Sequence, residues 1–503
     1  MIEFRNQRIK TILTRYQTVA ALEGLVALAG WDLETNMPEA AASDRGFVFG
    51  KTLVLIQQLL LEPELKQLIN EPDSADLNLH ERAVLRVLRR EIAQLEKIPQ
   101  DFIEEFNRVT TEAQMVWRKA KKGNDFAAFV PPLERIVALV RRKADYLGYA
   151  VHPYDALIDI FEEGWTTADF DHYFTTLRDP LKHLLERIRR SPRYIDQLPL
   201  EAERYEQPAM VALNRAVLEQ LGWDPTRMRL DTSAHPFEER ITLRDVRITT
   251  WYQGQDFRRS LSAVIHEFGH ALYELQSDEA LAFTPLQGGV SYGLHESQSR
   301  FWENMVGRHP AFLESLYPKA KEHLPFLAKY NVNDFIHYFN FIRPDLIRVE
   351  ADELTYHFHI MLRFEAEKRL VDGTLGVNEL REFWNETMKS YLGVAPATDA
   401  EGVLQDIHWS GGSFGYFPTY SLGTVLSALW RERIEKELGS IDKLIKADGA
   451  MTLHTWLKEK IHGHGRTYTP KELITRVTGG EFSVQPFLNY LETKYSEIYK
   501  LNN

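Results

Sequence analysis

Apolar residues recur at every third or fourth position over much of the chain, which is the spacing of one face of an α-helix. Four long stretches share this pattern: 91–120, 132–147, 354–370 and 379–392. Helix ends are also marked, because Thr469-Pro470 has the chemistry of a helix start, and Gly373 and Gly393 are typical helix stops. The pattern therefore predicts a mainly α protein.

One stretch departs from the helical spacing. Polar and apolar residues alternate through Asp245-Val-Arg-Ile-Thr-Thr250, and the stretch is rich in β-branched and aromatic residues, so it predicts a short strand at 245–252. We find no internal repeat and no low-complexity linker, and we expect a single large domain over residues 1–503.

The composition narrows the class of protein. Of the 503 residues, 44% are hydrophobic, and the net charge of -12 argues against a nucleic-acid partner. The chain has no cysteine, which excludes thiol catalysis and thiolate metal ligands. The N-terminus lacks the features of a signal peptide, and the most apolar early stretch, 20–30, is too short to span a bilayer. We therefore expect a cytoplasmic protein without a membrane partner.

The strongest chemical signal is the pentapeptide His266-Glu267-Phe268-Gly269-His270. Two histidines four residues apart on a helix point the same way, so both can bind one metal ion while the Glu reaches a water molecule there. One apolar stripe at helical spacing assigns the opposite, core-facing side: Leu261, Val264, Ile265, Phe268, Leu272 and Leu275. The alternative is an ordinary solvent-facing surface, but Gly269 is a poor residue for an idle helix interior, which favours a functional site.

A catalytic zinc site also needs a third protein ligand and an open position for water. A helix-like segment begins at Gly293 and carries Glu296, Arg300 and Glu303 on its polar face. Glu296 would complete a His-His-Glu set. Spacing alone does not separate Glu296 from Glu274 or Glu303, and each can instead be an ordinary surface glutamate.

Six short motifs follow one another along residues 235–409. They are His235-Pro236-Phe237, Asp245-x-Arg247-x-Thr249, the 266–270 pentapeptide, His295-Glu296-Ser297-Gln298, Ile347-Arg348-x-x-Ala351-Asp352 and Gly402-x-x-Gln405-Asp406-x-His408-Trp409. With all six intact, the chain resembles the carboxypeptidase Taq family, the thermostable metallocarboxypeptidases also called carboxypeptidase 1.

The resemblance implies a site and a fold. It implies that His266, His270 and Glu296 bind one zinc ion per chain, with cobalt as an alternative ion, and that Glu267 is the catalytic carboxylate. The implied fold is a large helical zincin of the His-His-Glu type, with a deep central cleft and a small antiparallel β-sheet beside the zinc helix. The family also implies a homodimer that releases single amino acids from peptides with a free C-terminus.

Other residues are candidates for roles around this chemistry. The oxyanion formed during hydrolysis needs a donor, and Tyr420, in preference to Tyr416, or His408 is the candidate. Both tyrosines lie in the glycine-rich stretch 411–420, which predicts a flexible loop. The alternative is that the tyrosines only pack and that His408 is a hydrogen-bonded core residue.

The predicted strand and its surroundings are candidates for substrate contact. The strand at 245–252 can act as a sheet edge that pairs with an extended peptide, or Asp245 and Arg247 can simply pair with each other. His235 either contacts the substrate or braces the site.

Arg348 is the candidate for binding the free C-terminal carboxylate, because a guanidinium holds both oxygens and stays charged. We prefer it to Arg247 and Arg343. The alternative is a commonplace pair between Arg348 and Asp352 or Glu350.

Two other functions are compatible with the same sequence features. A zinc oligopeptidase or dipeptidyl carboxypeptidase would use the same metal chemistry and would differ in the products released. A non-catalytic helical peptide-binding protein could keep the pentapeptide without using it, and would show no bound metal.

Overall fold

The computed structural model describes residues 2–448 and 450–501. Helices dominate it, as the hydrophobic pattern predicts. They are α1 (Gln7–Thr35), α2 (Ala42–Leu60), α3 (Pro63–Asn70), α4 (Leu79–Lys97), α5 (Gln100–Gly123), α6 (Phe126–Leu147), α7 (Pro153–Phe161), α8 (Thr167–Arg190), α9 (Pro199–Ala202), α10 (Gln207–Gln220), α11 (Arg258–Leu275), α12 (Tyr292–Arg300), α13 (Pro310–His323), α14 (Val332–Asn340), α15 (Tyr356–Asp372), α16 (Leu380–Leu392), α17 (Phe417–Leu438), α18 (Ile441–Asp448), α19 (Met451–Lys460), α20 (Pro470–Thr478) and α21 (Gln485–Tyr499). Among the described helices, none has both the length and the apolarity needed to span a bilayer.

The stretch predicted as one helix at 91–120 is divided between α4 and α5. Pro99 has no N–H to continue the helix, and its ring disfavours helical backbone at the residue before it. Ile98 is accordingly extended, with φ -100° and ψ 116°. The helix predicted at 132–147 begins earlier, at Phe126, because the Asp125 side chain caps it there.

The other marked helices agree closely with their sequence signals. The stretches predicted at 354–370 and 379–392 form α15 and α16. The Thr469 side chain accepts the N–H of Glu472 in a capping box at the start of α20. Gly373 and Gly393 end α15 and α16 in the left-handed conformation, with φ of 87° and 73°. These local features are confirmed.

The small sheet has three strands, β1 (Met228–Thr232), β2 (Glu238–Thr242) and β3 (Asp245–Thr250), in the order β1-β3-β2. The expected strand is β3, and it packs against α11. The sheet is mixed and not purely antiparallel, because β2 pairs antiparallel with β3 whereas β1 pairs parallel with it. A tight hairpin makes β2 and β3 antiparallel, and β1 then joins the far side of β3.

The buried apolar residues form two clusters. The larger includes the apolar face of α11 and most buried residues of the helices from α5 onward. The smaller is built by α1 to α4 and is completed by Leu281 and Leu286. Within the larger cluster, α12 lies between α11 and α17.

Candidate metal centre

Helix α11 presents the two histidines of the pentapeptide away from the core. Its apolar stripe is buried, as predicted, and the His266 and His270 side chains are 18% and 15% exposed. Glu267 lies between them and is buried. The predicted division of this helix into a core face and a site face is confirmed.

Two glycines, Gly269 in α11 and Gly423 in α17, allow α12 to pack closely against both of these helices. A Cβ on Gly269 would lie 2.5 Å from the carbonyl oxygen of Gln298 in α12. A Cβ on Gly423, in α17, would lie 2.6 Å from Cβ of Glu296. Gly269 is therefore explained by close helix packing, and this packing brings Glu296 beside the histidines.

The three expected ligands meet at one point. Oε2 of Glu296 lies 3.5 Å from Nε2 of His266 and 3.4 Å from Nε2 of His270. Tetrahedral zinc with bonds of about 2.1 Å places its ligand atoms about 3.4 Å apart, so the separations fit such an ion. Among the described residues, these three form the cluster whose donor atoms can hold a metal.

Glu303 and Glu274, the alternative third ligands, lie on the outer side of the cluster. Oε2 of Glu303 lies 3.0 Å from Nδ1 of His266. Glu274 lies 3.0 Å from Nε2 of His295, and Nδ1 of His295 lies 2.6 Å from Nδ1 of His270. If His270 binds the ion through Nε2, its Nδ1–H donates to His295, which in turn donates to Glu274.

Burial and neighbouring charges shift the pKa values of the residues at the site. Burial lowers the pKa of His270 to about 3, so this ring is neutral at pH 7. Burial also lowers the pKa of His266, but the charge of Glu296 and hydrogen bonds to Glu296 and Glu303 outweigh it and raise the pKa to about 10. A metal ion must therefore displace a proton from His266. Burial raises the pKa of Glu267 to about 7, which suits a group that takes up and releases a proton near neutral pH.

The cluster opens into a cleft with two cavities. A cavity of about 860 Å³ is lined by all three candidate ligands together with β2 and the residues around Tyr420. A second cavity of about 260 Å³ is lined by His266, Glu267 and several arginines, among them Arg300 and Arg348. His266 and Glu267 line both cavities, so the two meet at the metal cluster.

Comparison with known proteins gives the family. The family model described as carboxypeptidase Taq (M32) metallopeptidase matches residues 11–495. This chain belongs to the carboxypeptidase Taq (M32) family. It is 44% identical over 494 residues to thermostable carboxypeptidase 1 of Pyrococcus furiosus, covering 98% of this chain and 99% of the relative. It is 37% identical to carboxypeptidase 1 of Bacillus subtilis, covering 95% of each.

Solved M32 structures agree with this fold. The structure of the Pyrococcus furiosus carboxypeptidase has a TM-score of 0.95 at 45% identity, covering 98% of this chain and 99% of that one. An M32 carboxypeptidase from Deinococcus radiodurans R1 also has a TM-score of 0.95, at 34% identity, covering 98% of this chain and 100% of that one. The protein is therefore an enzyme, a metallopeptidase with carboxypeptidase activity on peptides.

In this M32 carboxypeptidase, Tyr420 lies in the first turn of α17 and lines the larger cavity. The prediction that 411–420 is a loop is wrong for its last residues, because Pro418 in the first turn starts a helix at Phe417. Nε2 of His408 lies 3.3 Å from the Tyr420 hydroxyl. Burial lowers the pKa of His408 to about 4, so the ring that contacts the Tyr420 hydroxyl is neutral.

Arg348 is buried beside the smaller cavity. Neither alternative partner pairs with it: its Nε and Nη2 lie 3.0 Å and 2.9 Å from Oδ1 of Asp406, and its Nη1 donates to the Tyr356 hydroxyl at 3.0 Å. Asp352 instead accepts backbone N–H groups, and Glu350 pairs with Arg259. The alternative of a local pair is wrong because 348–350 is a short helical turn, and Asp352 lies beyond its end.

The expected role of β3 as a sheet edge is wrong, because β1 and β2 occupy both of its sides. The edge strand beside the cleft is β2, whose residues Glu238 to Arg240 line the larger cavity. Arg247 forms a two-point pair with Asp245 at 2.9 Å and 2.8 Å and lies 4.4 Å from the Trp31 ring centre. His235 is exposed near Trp251.

The sequence indicates no role for His295 at the site. His295 adjoins the candidate ligand Glu296, but neighbours on a helix face different directions, so adjacency does not indicate a shared site. Arg300 was placed on the correct helix face without a role, and its Nε donates to Oε1 of Glu296 at 2.7 Å. Each of the two contacts a candidate ligand directly, His295 the ring of His270 and Arg300 the carboxylate of Glu296.

Proposed function

We propose that this protein is a zinc carboxypeptidase that releases single amino acids from peptide C-termini. The supporting observation is that His266 and Glu267 line both cavities of the cleft. A peptide that extends from the larger cavity into the smaller one passes the metal ligands and Glu267, with its C-terminus in the smaller cavity.

The donor set supports zinc. Two imidazoles and one carboxylate, with an open side, are the arrangement of catalytic zinc sites, and one ion per chain would be held by His266, His270 and Glu296. Bound zinc supplies a Lewis acid that polarises the scissile carbonyl and lowers the pKa of water. Cobalt would accept the same donors.

The protein groups around the cluster have complementary roles in this proposal. Glu267 takes a proton from the attacking water and passes it to the leaving amine. The Tyr420 hydroxyl donates to the carbonyl oxygen as negative charge develops there. His408 is a positioning residue that fixes the orientation of this hydroxyl.

Arg348 is the proposed anchor for the substrate carboxylate. Asp406 pairs with both Arg348 and the fully buried Arg363, so this group keeps one net positive charge beside the cavity. The Arg348 guanidinium lies 5.0 Å from the ring centre of Tyr420. An anchor this close to the oxyanion donor favours cleavage of the last peptide bond over the one before it.

Residues of the sheet support substrate binding indirectly. We propose that Asp245 and Arg247 brace the central strand, and that His235 braces the turn leading into β2. An extended peptide would pair with β2, whose outer edge belongs to the cleft.

A homodimer is part of the same proposal, with residues 1–503 acting as one domain. Phe47, Val48, Val54 and Leu55 lie on one face of α2 and are 67%, 52%, 49% and 44% exposed. An exposed apolar face of this kind is typical of an interaction surface, and the proposed occupant is a second copy of the chain. Light scattering of a Phe47→Asp variant should then give the mass of a monomer.

The deciding experiment combines metal analysis with mass spectrometry of a digested peptide. Our proposal expects about one zinc per chain and a ladder of single-residue losses from the C-terminus. Losses in steps of two would identify a dipeptidyl carboxypeptidase, and internal fragments an oligopeptidase. Absence of cleavage with metal-loaded protein would leave a non-catalytic peptide-binding protein.

A further inference from the structure

A third cavity, of about 970 Å³, lies away from the cleft between α13, α14, α17 and α21. It shares no lining residue with the two cleft cavities. The link between the regions is the π-helical segment Phe301–Gly307, where Glu303 contacts His266 and the next residue, Asn304, lines the third cavity. Segments of π-helix are rare and occur often at functional sites.

Asn304 is the unusual group in this cavity. The residue is 2% exposed, and neither its amide nitrogen nor its amide oxygen has a hydrogen-bond partner among the described residues. Burying an unpaired amide costs free energy, so most buried amides in proteins are satisfied. The fold does not explain this side chain, whereas a ligand that both donates and accepts a hydrogen bond would.

Two cations stand beside Asn304 around one aromatic ring. The Arg431 guanidinium and the Lys494 ammonium lie 4.9 Å and 5.3 Å from the ring centre of Tyr490, whose hydroxyl donates to the backbone carbonyl of Asn304 at 3.3 Å. Lys494 is anchored by the buried Glu353 at 2.5 Å. Within the described part of the chain, Arg431 has only a long contact of 3.4 Å to Glu435, so part of its hydrogen-bonding capacity is free for an anion.

Besides the two further cations Arg193 and Lys500, several carboxylates line the same cavity. They are Glu314, Glu432, Glu435, Asp442 and Glu497. The cavity therefore offers both signs of charge, and a simple anion would be attracted by the cations and repelled by these groups. A small molecule with a carboxylate and an ammonium group satisfies both.

We propose that this cavity is a binding site for a free α-amino acid. The carboxylate lies against Arg431 and Lys494, the ammonium group faces the carboxylates, and the amide of Asn304 bonds to the ligand between them. The choice of an amino acid among zwitterions rests on the proposed release of single residues by the cleft. The site is separate from the cleft, so it would sense free product while peptide is being cut.

Calorimetric titration of L-leucine into the full-length protein tests this proposal. Asn304→Leu replaces the amide with an apolar side chain of the same branching, and Arg431→Gln removes the cation. Each should weaken one class of leucine site tenfold or more, whereas Arg433→Gln, an exposed partner of Glu437 on the same helix, should not. Arg348→Ala should keep this class, because it alters only the cleft.

Two analogues test the requirement for both charges. Leucinamide lacks the carboxylate and N-acetyl-leucine lacks the ammonium group, so neither should compete for the site. Thermal unfolding of Asn304→Leu should show a folded protein of unchanged or higher stability, because the substitution removes an unpaired buried amide. Equal leucine binding in Asn304→Leu, Arg431→Gln and the parent would overturn the proposal, as would a single class of site abolished by Arg348→Ala. Neither result depends on turnover, so failure here is distinct from failure of the proposed activity.

Discussion

His270 and His295 face each other with their Nδ1 atoms 2.6 Å apart, and Nε2 of His295 lies 3.0 Å from a carboxylate oxygen of Glu274. The carboxylate therefore acts on the candidate metal ligand through a second imidazole. This arrangement fixes which nitrogen of His270 faces the metal position, and it makes His295 a positioning residue for the metal.

Replacing His295 with Phe should weaken zinc binding about 10–100-fold, the usual effect of losing an outer partner of a metal ligand. Competition with a chelator of known affinity measures it. His183→Phe, at an exposed position on α8, is the control and should leave the affinity unchanged. Unaltered zinc affinity in His295→Phe would remove His295 from the site.

Replacing Glu267 with Gln should lower kcat about 10²–10⁴-fold, the usual contribution of a general base, while the metal stays bound. The physical reason is that Glu267 acts on water and does not hold the ion. Metal analysis of the purified variant beside its peptide turnover checks both parts. A Gln variant that loses its metal would make Glu267 a ligand.

Replacing Glu296 with Ala should reduce metal occupancy together with activity, because two histidines alone hold zinc weakly. Glu303→Gln is the comparison, since Glu303 contacts His266 at its outer nitrogen, Nδ1, and otherwise pairs with Arg300 and Arg308. The zinc occupancy of the Glu303→Gln variant at saturating zinc should stay near that of the parent protein. Full zinc occupancy in Glu296→Ala, together with loss of zinc in Glu303→Gln, would make Glu303 and not Glu296 the third metal ligand.

Replacing Arg348 with Ala should lower kcat/KM for peptides with a free C-terminus. The expected decrease corresponds to a loss of about 2–5 kcal/mol of binding free energy, the usual cost when one partner of a buried charge pair is removed. Slow cleavage of C-terminally amidated peptides should hardly change, because they lack the charge that Arg348 binds. Lys should restore the activity only partly, because it keeps the charge but not the planar fork. Equal losses on both substrates, with normal zinc content, would place the anchor elsewhere.

Replacing Gly269 with Ala should destabilise the protein by about 1–3 kcal/mol, because the new Cβ would overlap the backbone of α12. The new Cβ would lie 2.5 Å from the Gln298 carbonyl oxygen. Gly123→Ala, with no atom within 4 Å of the new Cβ, is the control. Denaturant unfolding of the metal-free proteins compares them, and equal stability would show that α12 can move away without cost.

The local features of this protein can be predicted from its amino-acid sequence. Helix spacing, the capping box at Thr469 and the glycine stops at Gly373 and Gly393 depend on neighbouring residues, so they could be predicted. The direction of His266 and His270 followed from the same rule, because residues four apart share one face of any helix. The ordered motifs then indicated the family.

Which residues from different segments meet depends on the packing of the whole fold. Glu274, Glu296 and Glu303 are equivalent in spacing, and the close approach of α12 over Gly269 and Gly423 places Glu296 at the cluster. Arg348 pairs with Asp406, which is distant in the chain, and β3 became the central strand through partners on both sides. The physical reason is that local spacing fixes where a side chain points on its own helix or strand, whereas its partner depends on long-range packing of elements that no single segment encodes.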